Sequence, residues 1–166
     1  MQKIYLDCDG VILNTENSLF EKYKNMQQND ISINKSDYLR TFDWASWLYY
    51  CGDINNAINI LLNYDPTNIE ILTKVHSIEE ASAKINYFRY KNIKNNIIIV
   101  PSNINKNYVV GANGNILVDN SLINLSSWSF ANGIPVYFGE ESILYPSITS
   151  LDEILDSTKR KKVLKL

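Results

Sequence analysis

Two carboxylates stand one residue apart near the start of the chain, directly after an apolar run. The stretch YLDCDGVILNTE spans residues 5–16 and contains Asp7 and Asp9, with Gly10 following at once. Paired carboxylates can do nucleophilic or acid–base chemistry or can bind a cation, but the same pattern also occurs in a plain turn or helix cap. The residues further along the chain distinguish a functional site from a plain turn or helix cap.

Acid, amide or hydroxyl groups follow three of the hydrophobic runs in the sequence: Asp7 and Asp9, then Thr73, then Asp119 with Asn120. If these runs are parallel strands, their carboxyl ends meet at one edge of a sheet, where open α/β sheets bind ligands. Facing carboxylates are unfavourable without a cation between them, and oxygen ligands of this kind suit Mg²⁺. The single histidine, His76, excludes a His-rich zinc site and is interpreted as an ordinary loop residue.

The hydrophobic runs alternate with helical patterns, which predicts a parallel sheet covered on both faces. We expect helices over residues 14–26, 77–93 and 121–133, the second opened by a capping box from Ser77 to Glu80. Strands are predicted over residues 3–8, 69–75, 96–102, 115–120 and 134–139. The expected fold class is therefore α/β, a Rossmann-like three-layer parallel sheet.

Residues 27–65 have a different character, because polar turns separate two helical patterns at 35–51 and 54–64. We interpret this stretch as a small α-helical cap inserted after the first strand and helix. The predicted domains are a core of residues 1–26 and 66–166 and a cap of residues 27–65.

The composition narrows the class of partner. The chain has 166 residues, of which 45% are hydrophobic and 20% charged, and its net charge of −2 gives no electrostatic footprint for a polynucleotide. Cys8 and Cys51 show neither metal spacing nor a disulfide framework, and no apolar run is long enough to cross a membrane. We expect a cytoplasmic protein with a small-molecule partner. The oligomeric state is left open, with a homodimer among the alternatives.

The motifs resemble those of the haloacid dehalogenase (HAD) superfamily of phosphohydrolases. DCDGVILNTE is similar to the first motif of that superfamily, EILT with Thr73 to the second, AKINYF with Lys84 to the third, and ILVDNS to the fourth. Within the superfamily the chain looks most like the 5′(3′)-deoxyribonucleotidase group and its bacterial and phage relatives, because of the helical insertion and the spacing of Lys84 and Tyr87. The resemblance implies a Mg²⁺-dependent phosphomonoesterase, with a nucleoside monophosphate as a candidate substrate.

The resemblance also implies a role for each motif residue. Asp7 would attack phosphorus and form an aspartyl-phosphate, and Asp9 would protonate the leaving alcohol and then deprotonate water. Thr73 would donate a hydrogen bond to the phosphate, and Lys84 would offset the negative charge, with Lys74, Lys91 and Lys106 as alternative lysines. The period of two along a strand would put Asp7 and Asp9 on the same face. The implied metal ligands are Asp7, Asp9, Asp119 and Asn120.

Substrate-binding residues are expected around this centre and in the cap. Gly10 allows a tight turn, so that backbone N–H groups can face the phosphate, and Lys74 and Lys106 could lie near it. The cap is rich in aromatic residues, of which Trp44 or Trp47 is the expected substrate contact because aromatic rings stack on nucleobases. The alternative is that these rings form the core of the insertion.

Three other functions remain open from the sequence. The chain could be a catalytically idle phosphate- or metal-binding regulator on the same fold, although such a protein would not need the proton transfer by Asp9. It could also act on another small phosphate ester, such as a sugar phosphate. A large substrate, such as a nucleic-acid end or a phosphoprotein, fits less well with the acidic balance and the cap.

Overall fold

Six parallel strands form one sheet in the order β3-β2-β1-β4-β5-β6. The structure is a computed structural model that describes residues 2–29 and 34–165. The strands are β1 Ile4–Leu6, β2 Ile69–Val75, β3 Asn96–Pro101, β4 Ile116–Asp119, β5 Ile134–Phe138 and β6 Ser147–Ile148. Ile4 pairs with Ile69 of β2 on one side and with Ile116 of β4 on the other. Strands β1 to β3 follow one another toward one edge of the sheet, and β4 to β6 toward the other edge. The strand order therefore reverses between the neighbours β1 and β4, the place where open α/β sheets bind ligands.

Helices connect the strands and cover both faces of the sheet, which confirms the predicted fold class. In the described part of the chain they are α1 Glu16–Asn29, α2 Lys35–Thr41, α3 Trp44–Trp47, α4 Ala57–Leu62, α5 Ile78–Tyr90, α6 Lys106–Val109, α7 Leu122–Phe130, α8 Asp152–Leu155 and α9 Ser157–Leu164, with a 3₁₀ turn at Pro66–Asn68. None of these helices is both long and apolar enough to cross a membrane.

The alternation of side chains along β1 separates the core into two layers. Ile4 and Leu6 pack with Phe88 of α5 on one side of the sheet, which we name the α5 face. Tyr5 packs with Trp128 of α7 on the opposite side, which we name the α7 face. The buried strands β1, β2 and β4 have apolar residues on both faces over most of their length, which explains why they form nearly continuous hydrophobic runs in the sequence.

Strand β1 is shorter than the sequence predicts, and this changes the relation between the two carboxylates. It ends at Leu6, and beyond it the N–H groups of residues 11–13 all donate to the carbonyl oxygen of Cys8, which coils the chain. The strand period therefore does not extend to Asp9, and the expectation that Asp7 and Asp9 share a face because of it is wrong. Gly10 has a φ of +73°, a conformation that a glycine adopts without steric strain.

The helical insertion packs against the α5 face. Helices α2, α3 and α4 fall between α1 and β2, and buried residues of theirs such as Leu39, Trp44 and Leu61 belong to the same apolar cluster as Ile4 and Leu6. The helical pattern predicted at 35–51 is divided between α2 and α3. The boundaries of the predicted cap remain a prediction, and residues 30–33 within it lie outside the described residues.

Candidate active site

A cavity of about 830 Å³ opens beside the carboxyl ends of β1 and β2. Its walls come from the turn after β1, from the start of α7 and from the helical insertion. The residues that line it include Asp7, Asp9, Thr15, Leu19, Tyr23, Lys24, Lys35, Tyr38, Leu39, Trp44, Lys74, His76, Glu80, Asn120, Ser121, Ile123 and Asn124. Both carboxylates of the first motif therefore face one space.

Asp7 is held from the α7 face by a buried lysine. Its Oδ1 atom lies 2.9 Å from Nζ of Lys106 and accepts a 2.7 Å hydrogen bond from the N–H of Cys8. Both contacts use Oδ1, and among the described residues none donates a hydrogen bond to Oδ2. One oxygen of Asp7 is thus anchored, and the side chain lines the cavity.

Asp9 is held from the α5 face by a different lysine. Its Oδ2 atom lies 2.5 Å from Nζ of Lys84, and its Oδ1 atom accepts a 2.8 Å hydrogen bond from the hydroxyl of Thr15. The hydroxyl of Thr73 is 3.5 Å from Oδ2, at the outer limit for a hydrogen bond, and it accepts from Nζ of Lys84 at 3.2 Å. The two carboxylates therefore have separate cationic partners on opposite faces of the sheet.

The two polar residues at the end of β4 lie in different places, one in the interior and one at the cavity. Asp119 is fully buried: its Oδ2 accepts from Lys106 at 2.7 Å and from the amide of Asn124 at 3.0 Å, and its Oδ1 accepts from the N–H of Ser121 at 2.8 Å. Asn120, the next residue, lines the cavity. Asp119 is thus held in the interior with Lys106, whereas Asn120 borders the cavity.

Burial and neighbouring charges determine which of these groups are ionised. Burial raises the pKa of Asp7 to about 7, the carboxylate of Asp119 adds to this increase, and the charge of Lys106 opposes it. Burial alone would lower the pKa values of Lys84 and Lys106, but the carboxylates that contact them outweigh it and raise both values. Burial and the charge of Lys106 lower the pKa of Lys74. Lys84 and Lys106 are therefore fixed cations at neutral pH.

The charge balance and the donor atoms fit a divalent cation. The contact network joins four carboxylates, of Asp7, Asp9, Glu80 and Asp119, to the ammonium groups of Lys84 and Lys106, which leaves two negative charges in excess when all are ionised. Within residues 2–29 and 34–165, no group of three or more His, Cys, Asp or Glu side chains is arranged to hold a metal ion, so a cation here would need amide, backbone or water oxygens as well. An open site of carboxylate and amide oxygens completed by water is typical of Mg²⁺.

The remaining predicted residues fall at different distances from the cavity. Lys74 lines it, and in the described part of the chain its ammonium group forms no ion pair. The N–H of Gly10 donates to the carbonyl of Leu13 at 2.9 Å, so this group is already used within the turn. Lys91 caps the far end of α5, seven residues beyond Lys84 and about 10 Å further along the helix axis.

The two candidate tryptophans differ in position. Trp44 lines the cavity, is buried, and donates from its indole N–H to the carbonyl of Leu39 at 2.9 Å. Trp47 is not among the described residues that line the cavity; it packs against the apolar cluster of the α5 face, with Nζ of Lys22 3.9 Å from its ring centre. The prediction of an aromatic substrate contact therefore rests on Trp44.

Three residues of the site were not singled out from the sequence. Thr15 lies at the end of the first motif, and Glu80 is predicted only as half of a capping box. Ser77 does cap α5 by accepting from the N–H of Glu80 at 3.1 Å, but the carboxylate of Glu80 turns inward to Lys84. Asn124, which holds Asp119, carries no sequence signal, because its role depends on how α7 packs on β4.

The comparisons with known proteins show the same architecture. No protein-family model matches the chain, and no curated protein sequence matches it significantly. A HAD hydrolase of family IA from Entamoeba histolytica matches all of both chains with a TM-score of 0.69 at 12% identity. The HAD-hydrolase YfnB of Bacillus subtilis, bound to magnesium, matches 99% of both chains with a TM-score of 0.59 at 13% identity. A HAD-superfamily hydrolase from Ehrlichia chaffeensis matches 100% of this chain and 98% of its own with a TM-score of 0.58 at 13% identity.

These similarities define the fold of the protein. The parallel six-stranded sheet with helices on both faces is the fold that the chain shares with these HAD-hydrolase structures. Sequence identities of 12–13% establish a common fold, and the chemistry has to be argued from the site.

Proposed function

We propose that the protein is a Mg²⁺-dependent phosphomonoesterase of the HAD type that acts through an aspartyl-phosphate. The observation that carries this proposal is the asymmetric environment of Asp7. Its Oδ1 is anchored by Lys106 and the N–H of Cys8, while its Oδ2 has no donor among the described residues and belongs to a side chain that lines the cavity. A carboxylate with one oxygen fixed and the other available is arranged as a nucleophile.

The reaction would proceed in two displacements at phosphorus. In the first, Oδ2 of Asp7 forms a bond to phosphorus while the bond to the ester oxygen breaks, and Asp9 gives its proton to the departing alkoxide. In the second, water gives a proton back to Asp9 and bonds to phosphorus, and the bond from phosphorus to Asp7 breaks. Asp9 donates one proton and recovers one, so both carboxylates return to their starting state.

Several residues would stabilise the charge that accumulates on the phosphoryl oxygens. Lys106 contacts the proposed nucleophile directly, so we assign to it the neutralising role for Asp7, and to Lys84 the corresponding role for Asp9. Lys74 is placed to bind the substrate phosphate. Asp7, Asn120 and the backbone carbonyl of Asp9 would hold Mg²⁺, which supplies electrophilic stabilisation of the phosphoryl oxygens when bound.

The finer proposal is that the substrate is a nucleoside monophosphate. The cavity of about 830 Å³ is large enough for a nucleotide, and Trp44 on its wall offers a ring for stacking. A panel of nucleoside monophosphates and sugar phosphates tests this directly. A preference for nucleotides in kcat/KM supports the assignment, whereas equal values for all esters would remove it.

The proposed reaction is tested with p-nitrophenyl phosphate, with Mg²⁺ and with EDTA. We expect turnover that requires Mg²⁺, a loss of at least about a hundredfold in Asp7→Asn, and no change in the control Glu141→Gln, whose side chain is exposed. Phosphate binding without turnover would favour the idle regulator instead. Full activity of Asp7→Asn would show that another residue is the nucleophile.

A further inference from the structure

A buried glutamate, Glu80, lies behind the proposed acid–base residue. Its side chain is 2% exposed, and its Oε1 lies 2.7 Å from Nζ of Lys84, whose side chain is fully buried. Lys84 in turn lies 2.5 Å from Oδ2 of Asp9. The three side chains form a continuous chain of charges from the interior of the α5 face to the cavity.

Each end of this chain is fixed. Oε2 of Glu80 accepts a 2.8 Å hydrogen bond from the N–H of His76, so both of its oxygens are bonded. Nζ of Lys84 donates to Asp9, to Glu80 and, at 3.2 Å, to the carbonyl of Lys74. The hydroxyl of Thr73, also 3.2 Å away, is a fourth acceptor, so three ammonium protons serve four oxygens, of which those of Asp9 and Glu80 are the nearest. Lys84 therefore has one well-defined position, and that position depends on Glu80.

Such an arrangement is unfavourable for stability unless something requires it. Taking a glutamate and a lysine out of water carries a desolvation penalty that their attraction often fails to repay, and apolar residues of similar size serve as well in a core. The bond from the N–H of His76 to Oε2 supports the start of α5, but it does not explain why Oε1 is buried against Lys84, and the neighbouring Glu79 in the same turn is exposed. The contact of Glu80 with Lys84, which in turn contacts Asp9, indicates that Glu80 serves the candidate active site.

We propose that Glu80 is a positioning residue that holds Lys84 in place and thereby fixes the orientation of the Asp9 carboxylate. The proposal rests on the proposed phosphatase function. Without Glu80, Lys84 loses the carboxylate that opposes Asp9 and keeps only its two longer contacts among the described residues, with Thr73 and the carbonyl of Lys74, so it holds the Asp9 carboxylate less firmly. Its proton would then be delivered less accurately to the leaving oxygen, which matters most when the leaving group is poor.

The test compares two substrates of nearly the same shape, p-nitrophenyl phosphate and phenyl phosphate. Phenol has a pKa near that of tyrosine, about 10, and needs a proton donor more than the acidic p-nitrophenol does. For an enzyme that forms a phospho-enzyme, kcat/KM reports the steps up to release of the first product. In Glu80→Gln we expect the ratio of the two kcat/KM values, p-nitrophenyl over phenyl, to rise about tenfold or more.

Two further variants make the result decisive. The control Glu79→Gln, on the same turn of α5, should keep the wild-type ratio. If Glu80→Gln does not fold, Glu80→Asp keeps the charge but withdraws it by about 1.5 Å and should also raise the ratio. Equal losses on both substrates, which leave the ratio unchanged, would overturn the role of Glu80. Absence of wild-type turnover on both esters would instead overturn the phosphatase proposal and this inference with it.

Discussion

Asp7 and Asp9 are one residue apart in the chain but have different surroundings. Lys106 approaches Asp7 from the α7 face, and Lys84 approaches Asp9 from the α5 face. Asp9 also accepts a hydrogen bond from Thr15, whereas Oδ2 of Asp7 has no donor among the described residues. In the proposed reaction, this division would leave one oxygen of Asp7 for attack on phosphorus and would hold the Asp9 carboxylate in a fixed orientation for proton transfer.

The amide at Asn120 limits the charge available to a metal ion, and this can be tested. Asn120→Asp adds a second anionic oxygen at the cavity beside Asp7, and cation affinity rises with the charge of the ligands. We expect the Mg²⁺ concentration for half-maximal activity to fall about tenfold, as measured by titration of Mg²⁺ into the assay. Asn113→Asp, in an exposed loop before β4, is the matched control. An unchanged or higher Mg²⁺ requirement would place the metal away from Asn120.

At the scale of elements, the sequence predicts those that are long and periodic. The runs that predict β2, β3, β4 and β5 are confirmed within one or two residues, because a strand buried on both faces has a continuous apolar pattern. Helix α6 has only four residues and β6 only two, too few for a periodic signal. Lys106 is the first residue of α6, so its contacts with Asp7 and Asp119 follow from packing between distant segments and could not be derived from local patterns.

The site lysines illustrate the same limit. The spacing of the motifs favours Lys84 as the lysine of the centre, with Lys106 among the alternatives, whereas the structure brings both to the site, each to a different carboxylate. Alternation along β2 accounts for part of this, since Thr73 faces Lys84 on the α5 face while Lys74 projects toward the α7 face, near Lys106. The sequence contains the alternation, but only the sheet order determines which helix lies opposite.

The insertion gives a prediction at the scale of elements, because its two tryptophans have different positions. Trp44→Leu removes a ring from the wall of the cavity, so we expect the KM for the preferred nucleoside monophosphate to rise about tenfold, within the usual range for one stacking contact. Because Trp44 is also a buried member of the α5-face cluster, Trp44→Leu should lower the melting temperature as well. Trp47→Leu removes a ring that packs against the same cluster, and should lower the melting temperature while leaving KM unchanged. Equal increases in KM for both variants would indicate that the insertion binds substrate through another surface.

At the scale of the whole molecule, the sheet order brings buried charged side chains close together, which lowers the free energy of unfolding. The ends of β1, β2 and β4 meet where the sheet reverses its strand order, so Asp7, Asp119 and Lys106 are buried together. Burial raises the pKa of Asp7 from 3.8 to about 7, so the folded metal-free protein binds this proton more tightly than the unfolded chain. Stability from this group is therefore greatest at low pH and decreases as the pH rises from about 4 to 7, by at most about 4 kcal/mol.

Asp7→Asn removes this buried charge, so we expect it to stabilise the metal-free protein in a pH-dependent manner. In EDTA, the melting temperature of Asp7→Asn should exceed that of the wild type by several degrees at pH 8, and the difference should shrink toward pH 5, where Asp7 is largely protonated in the folded state. Thermal unfolding of both proteins across this range measures the difference, and Glu141→Gln should follow the wild type throughout. Added Mg²⁺ should reverse the order by stabilising the wild type alone, because only the wild type keeps the anionic ligand. A difference that stays constant with pH would mean that ionisation of Asp7 is not what destabilises the metal-free protein.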